Sequence, residues 1–218
     1  MSMMLDGQLV AQPLFSPAAE RNQQHILAQL QRTLPASGAA LEIASGTGQH
    51  VACFAAALPG WTWQPTDAQE DGFSTITANT HGAGLRNVRA PLLVDVLSSV
   101  WLQAECPPLG GDTFDAIFCA NMLHIAPWAT CAALMQGAAL RLAPGGQLIT
   151  YGPYMEDDVP TSAGNLSFDH TLRSSNPAWG VRRREDVEAA AQQAGLVLQT
   201  RHAMPANNLL LVFGRAGA

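Results

Sequence analysis

The stretch LEIASGTGQH, residues 41–50, constrains the fold more than any other. Leu41, Ile43 and Ala44 suit a buried strand, interrupted by one acid, Glu42, and the run ends at Gly46 and Gly48. Glycines at a strand end allow positive φ and a close backbone approach by a ligand. The next residues, QHVACFAAALPGW, carry an apolar stripe at Val51, Phe54, Ala55 and Leu58 and stop at Pro59-Gly60, as a helix would. Strand, glycine turn and helix N-terminus together present free N–H groups and a positive dipole end.

Two nucleotide-binding readings fit less well. A dinucleotide fingerprint needs Gly or Ala three residues after the second glycine, and that position is Val51. A P-loop needs a lysine, and the chain contains none. The same absence excludes a lysine Schiff base and pyridoxal-type chemistry. What remains, Glu-x-x-x-Gly-x-Gly from Glu42 to Gly48, resembles the first motif of class I S-adenosylmethionine-dependent methyltransferases. That resemblance assigns cofactor contacts to Glu42, Ala44, Ser45, Gly46 and Gly48.

The rest of the chain alternates strands and helices. FSPAAERNQQHILAQLQRTL reads as a helix with Ser16 as N-cap, Pro17 at the first position and Ile26, Leu27, Leu30 and Leu34 as its buried stripe. WTWQPTD is a second strand, NVRAPLLVDV a third and TFDAIFCANMLHI a fourth. After a helix over Trp128 to Leu142, QLITYGPY is a fifth, and RREDVEAAAQQAG is a helix closed by Gly195. Two strands joined through residues 205–208 complete the chain. This order predicts a doubly wound, Rossmann-like α/β domain with a mostly parallel seven-stranded sheet and one antiparallel strand near its C-terminal edge. The expected organisation is a loose arm over residues 1–12 and a single domain over 13–218, with an N-terminal lid helix over 13–35 and an acceptor-side insertion over 152–184.

In open α/β sheets ligands bind beyond the carboxyl ends of the strands. Asp67 ends the second strand nineteen residues after Gly48, the spacing of an acid that bonds ribose hydroxyls; it also precedes AQEDGF as a helix cap would, and both roles can hold. Ala68 follows it. Asp95 and Val96, after the third strand, resemble the pair that takes an adenine amino group and packs on its ring. Asn121 offers a donor and an acceptor after the fourth strand. His124 follows it as a candidate proton acceptor or a satisfied structural histidine. In the first helix, Arg21 suits a cofactor carboxylate, and Glu20 falls on the acceptor side.

The set SPAAERN, LEIASGTGQH, WQPTD, DVLSSVW, NMLHIAPW and GPY…GNLSFD…LRSSNPAWGVR is similar to the methyltransferase-like 26 family over about residues 15–214. That resemblance implies S-adenosyl-L-methionine as cofactor and leaves the methyl acceptor open. Tyr151 and Tyr154 follow the fifth strand and enter the insertion, where Asn165, Phe168, Trp179 and Arg182 form a candidate acceptor wall. His124 and Tyr154 are the candidate catalytic pair. A small polar or anionic acceptor with an O, S or N nucleophile is expected; the insertion reads as a long loop without regular structure, a functional lid with a surface excursion as the alternative.

A net charge of −6 disfavours a broad nucleic-acid surface and an anionic membrane, leaving Arg182 to Arg184 as the only basic run. Cys53, Cys106, Cys119 and Cys131 lack zinc-like spacing, so no metal site is expected. No secretory or membrane-spanning segment is seen, which with reduced thiols points to the cytoplasm. Monomer and homodimer are both compatible. The competing functions are a non-catalytic S-adenosylmethionine-binding module and a nicotinamide-dependent oxidoreductase.

Overall fold

The computed structural model describes residues 15–217 and the backbone of 4–5 and 8–9. The expected N-terminal arm falls largely outside the described residues; within it, β1 (Met4–Leu5) and β2 (Gln8–Leu9) pair antiparallel. Then follow α1 (Pro17–Thr33), β3 (Gly38–Ile43), α2 (Gln49–Ala57), β4 (Trp61–Asp67), α3 (Phe73–Gly82), β5 (Leu92–Leu93), β6 (Phe114–Ala120) and α4 (Ala129–Arg141). The C-terminal part comprises β7 (Leu142–Met155), α5 (Ala163–Ser175), β8 (Arg182–Arg183), α6 (Arg184–Gln193), β9 (Leu196–Met204) and β10 (Asn208–Arg215).

The strand order is β5-β4-β3-β6-β7-β10-β9, with β8 paired to β7. Pairing is parallel from β5 to β7, and β10 runs antiparallel to both β7 and β9. The chain therefore has the Rossmann-like sheet with one reversed strand. Alternation of side chains across the sheet creates two cores. One face buries Ile26, Leu30, Phe54, Trp63 and Ile149 beneath α1, α2 and α3. The other buries Trp101, Leu134, Met135, Val187 and Phe213 beneath α4 and α6. The helices that follow the adjacent strands β3 and β6 thus leave for opposite faces, and a crevice opens at those two strand ends.

Helix α1 forms as its sequence dictates. Ser16 Oγ accepts from Ala19 N at 3.4 Å, Pro17 occupies the first turn, and Asn22, Ile26, Leu27 and Leu30 face inward.

Two expectations are corrected. The third strand shrinks to Leu92–Leu93, because Pro91 removes a ladder donor and Asp95 starts a turn, with Ser98 N donating to Asp95 O at 3.0 Å. The insertion is not irregular either: Ser162 Oγ accepts from Asn165 N at 3.2 Å and caps the 13-residue helix α5. No helix among the described residues is long and apolar enough to cross a membrane.

Candidate active site

A cavity of about 980 Å³ lies over the C-terminal ends of β3, β4, β6 and β7, roofed by α1 and α5. Its floor is the turn between β3 and α2. Ala44, Gly46 and Gly48 take φ of 57°, 57° and 73°. A Cβ on Gly46 would meet nothing within 4 Å, so that backbone faces open space, whereas one on Gly48 would stand 2.8 Å from Ile76 Cα. Gly48 is therefore demanded by packing and Gly46 by conformation. Ala44 pays about 1 kcal/mol or more for left-handed φ. Ser45 N donating to Thr66 O at 2.8 Å holds it there.

Asp67 joins this turn to β4. One carboxylate oxygen accepts from Gly46 N at 3.0 Å and the other from Gln69 N at 3.3 Å. Both bonds brace the loops on either side, and the side chain still lines the cavity. Glu42 lies beneath the floor, 2 % exposed, with one carboxylate oxygen lacking a partner. Burial pushes its pKa up to about 8, against a hydrogen bond from Ser45, and the Asp67 charge adds to the rise.

Asn121, at the end of β6, is a second strained residue at φ 57°, fixed by its N–H donating to Tyr151 O at 2.8 Å. The short helical turn Leu123–Ile125 follows and carries His124. This imidazole is 7 % exposed, packs edge-on against Phe168 with ring centroids 5.5 Å apart, and lies over Gly152. Burial first, and the nearby Arg182 charge second, lower its pKa to about 4. His124 is thus neutral near pH 7, lines the cavity, and has no hydrogen-bond partner for its ring among the described residues.

The opposite wall is a polar network. His50 Nε2 lies 2.6 Å from Asn22 Oδ1, and the nearby Asn22 and Asn208 side chains oppose the rise that burial causes in the Tyr151 pKa. His50 stacks on Phe54 at 5.6 Å, and burial lowers its pKa to about 4. Asn165 lines the same cavity and donates to Asn207 O at 3.1 Å.

Of the residues expected from sequence, the cavity gathers Arg21, Ala44, Ser45, Gly46, Asp67, Asn121, His124, Tyr151 and Asn165. Others fall elsewhere. Tyr154 is three residues beyond Tyr151 on one strand and so faces the opposite side of the sheet, in the α4–α6 core. Its hydroxyl donates to Thr150 Oγ1 at 2.9 Å, and burial raises its pKa, so it is withdrawn as a catalytic candidate. Asp95 is exposed and its carboxylate accepts from Leu97 N at 2.8 Å, closing a local turn, while Val96 packs in the core. Ala68 is exposed beside Asp67 and does not line the cavity. Glu20 points along the outer groove between α1 and α2, accepting from Gln23 at 2.9 Å.

Trp179 is half-buried outside the cavity, its N–H bonded to Asn176 O at 2.9 Å. Arg182 turns beneath His124, donating to Leu123 O at 2.9 Å, to Ala178 O at 2.9 Å and to Ala126 O. It supports the His124 turn and is not part of an acceptor wall. Arg183 and Arg184 are paired with Asp157, Asp186, Glu156, Glu185 and Glu188, so the basic run is neutralised within the chain. Sequence reasoning missed Asn22, His50 and Asn208. Only His50, immediately after the glycine turn, carried a local signal.

Residues 13–215 match the family described as protein of unknown function DUF938. The chain belongs to that family. Its fold is shared with an O-methyltransferase family protein from Burkholderia thailandensis, at 19 % identity and a TM-score of 0.75, over 92 % of this chain and 58 % of that one. An O-methyltransferase family 2 protein from Planctomyces limnophilus, solved with apigenin, matches at 18 % identity and a TM-score of 0.68, over 89 % and 62 %. Human N-acetylserotonin methyltransferase, solved with S-adenosylmethionine, matches at 14 % and 0.71, over 92 % and 53 %. The chain spans little more than half the length of most of these structures.

Proposed function

We propose that this chain is an S-adenosylmethionine-dependent methyltransferase of the methyltransferase-like 26 type, acting on a small molecule. The observation that carries the reading is the pairing of a strained glycine turn, tied to Asp67, with a neutral, unpartnered imidazole at the next strand end of the same cavity. The cavity volume is at the upper end of small-molecule sites, enough for a nucleoside-sized cofactor and a small acceptor.

The residues present fit that cofactor in most respects. Gly46 leaves backbone open to the cavity, Asp67 retains lone pairs for ribose hydroxyls, and Arg21 forms no ion pair among the described residues. Arg21 would take the carboxylate of the amino-acid part, with residues 44–48 beneath it and Asn121 alongside. The adenine end lacks the expected acid, since Asp95 is engaged with its own turn. When bound, the cofactor supplies an electrophilic methyl carbon on a sulfonium.

The chain's own contribution is alignment and one proton acceptor. Catalysis by holding reactants aligned accounts for much of such a reaction. His124 offers its neutral nitrogen to a hydroxyl or thiol on the acceptor and removes the proton as the nucleophile forms its bond. The carbonyl grip of Arg182 fixes the turn that presents this ring. Three of the structural neighbours are described as O-methyltransferases, which agrees with a hydroxyl acceptor.

Calorimetry with S-adenosylhomocysteine and NADH tests the cofactor assignment; NADH binding without S-adenosylhomocysteine binding would overturn it. A screen of phenols, thiols, carboxylates and amines with mass detection tests the transfer. With an acceptor in hand, His124→Ala should lower turnover by about 10²–10⁴-fold while S-adenosylhomocysteine affinity is kept. Full turnover in that variant would remove His124 from the chemistry.

A further inference from the structure

Two segments singled out in the sequence, GNLSFD (residues 164–169) and NPAWGVR (residues 176–182), are not accounted for by a cofactor site, and the fold brings them together around His124. Gly180 N donates to His124 O at 3.0 Å. Arg182 donates from Nε to Leu123 O at 2.9 Å and from Nη2 to Ala126 O, while Nη2 also donates to Ala178 O at 2.9 Å within its own strap. Three carbonyls of the turn over residues 123–126 therefore accept from residues 180–182, which are anchored to the sheet where Arg182 pairs with Tyr154.

The strap is in turn fastened to α5. Val181 N donates to Asp169 Oδ1 at 2.7 Å and Arg173 Nε donates to Asp169 Oδ2 at 2.8 Å, so both oxygens of this carboxylate, 17 % exposed, are engaged. Gly180 packs directly on that ion pair. A Cβ there would stand 2.6 Å from the Arg173 guanidinium carbon and 2.9 Å from Asp169 Oδ1, so a side chain would drive strap and helix apart. Phe168, the residue before Asp169, lines the cavity and packs edge-on against the His124 ring at 5.5 Å. Two adjacent residues of α5 thus hold one histidine, Phe168 by its ring and Asp169 by way of its backbone.

We infer that Asp169 is a positioning residue for His124: through Val181 and Gly180 it fixes the backbone that presents the ring, so the imidazole keeps its place in the cavity only while α5 and the strap over residues 178–182 stay joined. This deepens the reading of His124 as proton acceptor and rests on it. A general base must stay within hydrogen-bond reach of its proton, and a misplacement of about 1 Å can cost about 10²-fold in rate. A carboxylate suits the task because the bonds it accepts are charge-assisted. The strap also sets the charge of the ring. Burial first and Arg182, carried by the strap, second oppose protonation of His124, while Asp169 and Arg173 on α5 neutralise each other. A loosened strap relieves both causes.

The test follows the His124 imidazole of the full-length protein by long-range proton–nitrogen correlation NMR from pH 8 to pH 5, with His124→Gln to assign its signals. Wild-type His124 should stay neutral throughout and show a nuclear Overhauser contact to Phe168. In Asp169→Ala the ring should take up a proton within that range, its midpoint raised by about one unit or more, and the contact should weaken. Asp169→Asn keeps an oxygen for Val181 N and should stay close to wild type. Asp115→Ala controls for lost stability: Asp115 Oδ2 accepts from Ala39 N at 2.8 Å at the opposite end of the sheet, so this variant strands a backbone N–H in the same way and should leave the ring unmoved. An undisturbed ring in Asp169→Ala overturns the inference, as does an equal disturbance in Asp115→Ala or a disturbed ring in Asp169→Asn. If Asp169→Ala does not fold, Asp169→Glu, which moves the carboxylate by one methylene, takes its place with the same expectation and the same refutation. With an acceptor known, Asp169→Ala should also lower kcat by about 10–100-fold with KM little changed. Unchanged kcat beside a slowed His124→Ala overturns the inference, whereas full turnover in His124→Ala removes the reading of His124 as proton acceptor and leaves the link between α5 and the ring standing.

Discussion

Replacing Glu42 by Gln should change the pH dependence of stability in one direction and one window. Glu42 is buried under the glycine turn, and its pKa rises from 4.5 to about 8 on folding. The folded chain therefore binds this proton more tightly than the unfolded chain, so the stability it contributes is present below pH 4.5 and is lost as pH rises toward 8. His50 and His124 act oppositely. Their pKa values fall from 6.5 to about 4, so acid unfolds the chain through them between those limits, and above pH 6.5 they add no slope. Wild-type stability should accordingly peak near pH 6.5. Between there and pH 8 the Glu42 proton alone costs roughly 1.5–2 kcal/mol, from about 1.4 kcal/mol per unit with rounding at the upper pKa. Glu42→Gln removes that slope and keeps the acid limb. Urea unfolding at half-unit pH intervals from 5 to 8 measures both profiles. Parallel profiles for the two proteins would refute the reasoning, because they would mean that Glu42 titrates alike in folded and unfolded chains.

Three further outcomes follow from single contacts. Asp67→Ala should weaken S-adenosylhomocysteine by about 1–3 kcal/mol in calorimetry, through lost charge-assisted bonds, with a smaller loss of stability from the freed Gly46 N–H. Unchanged affinity with a lowered melting temperature would reduce Asp67 to a loop brace. Gly137→Ala should destabilise by about 1–3 kcal/mol despite the gain of about 1 kcal/mol in helix propensity, because the new Cβ would stand 1.9 Å from Nε1 of buried Trp101; a stabilised variant in denaturant titration would show that the indole can move. Tyr154→Phe should leave turnover unchanged once an acceptor is known, since its hydroxyl serves Thr150 in the core away from the cavity.

The fold was legible because its signals are local. Ser16 caps α1 with Pro17 in its first turn, Gly46 and Gly48 turn the chain after β3 at a φ that few other residues accept, and Pro59-Gly60 follows the end of α2. Failures arose where two local rules competed. NVRAPLLVDV has a strand's composition, yet Pro91 and the Asp95 turn leave only two residues paired. The tyrosines show the limit of counting along a strand without a face: Tyr151 reaches the cavity, and Tyr154, an odd number of residues later, cannot. Arg182 illustrates the reverse error, a charge whose sequence position suggested a ligand but whose Nε and Nη2 donate to three backbone carbonyls outside the cavity.

The two halves of the cavity differ in how they are built, and that difference explains which half could be read. The side proposed for the cofactor is made largely of backbone. Ala44, Gly46, Gly48 and Asn121 all adopt positive φ at the ends of the adjacent strands β3 and β6. Such turns leave a mark in the sequence wherever glycine is required, and none where Ala44 or Asn121 accepts about 1 kcal/mol or more of strain instead. The side proposed for the acceptor is made of side chains from four elements, with Asn22 and Asn208 at opposite ends of the chain yet lining one cavity with Tyr151. Nothing local requires an amide at either position. Only the folded sheet brings them together, so the proposed acceptor wall is a property of tertiary structure, whereas the floor proposed for the cofactor is largely written in a ten-residue turn.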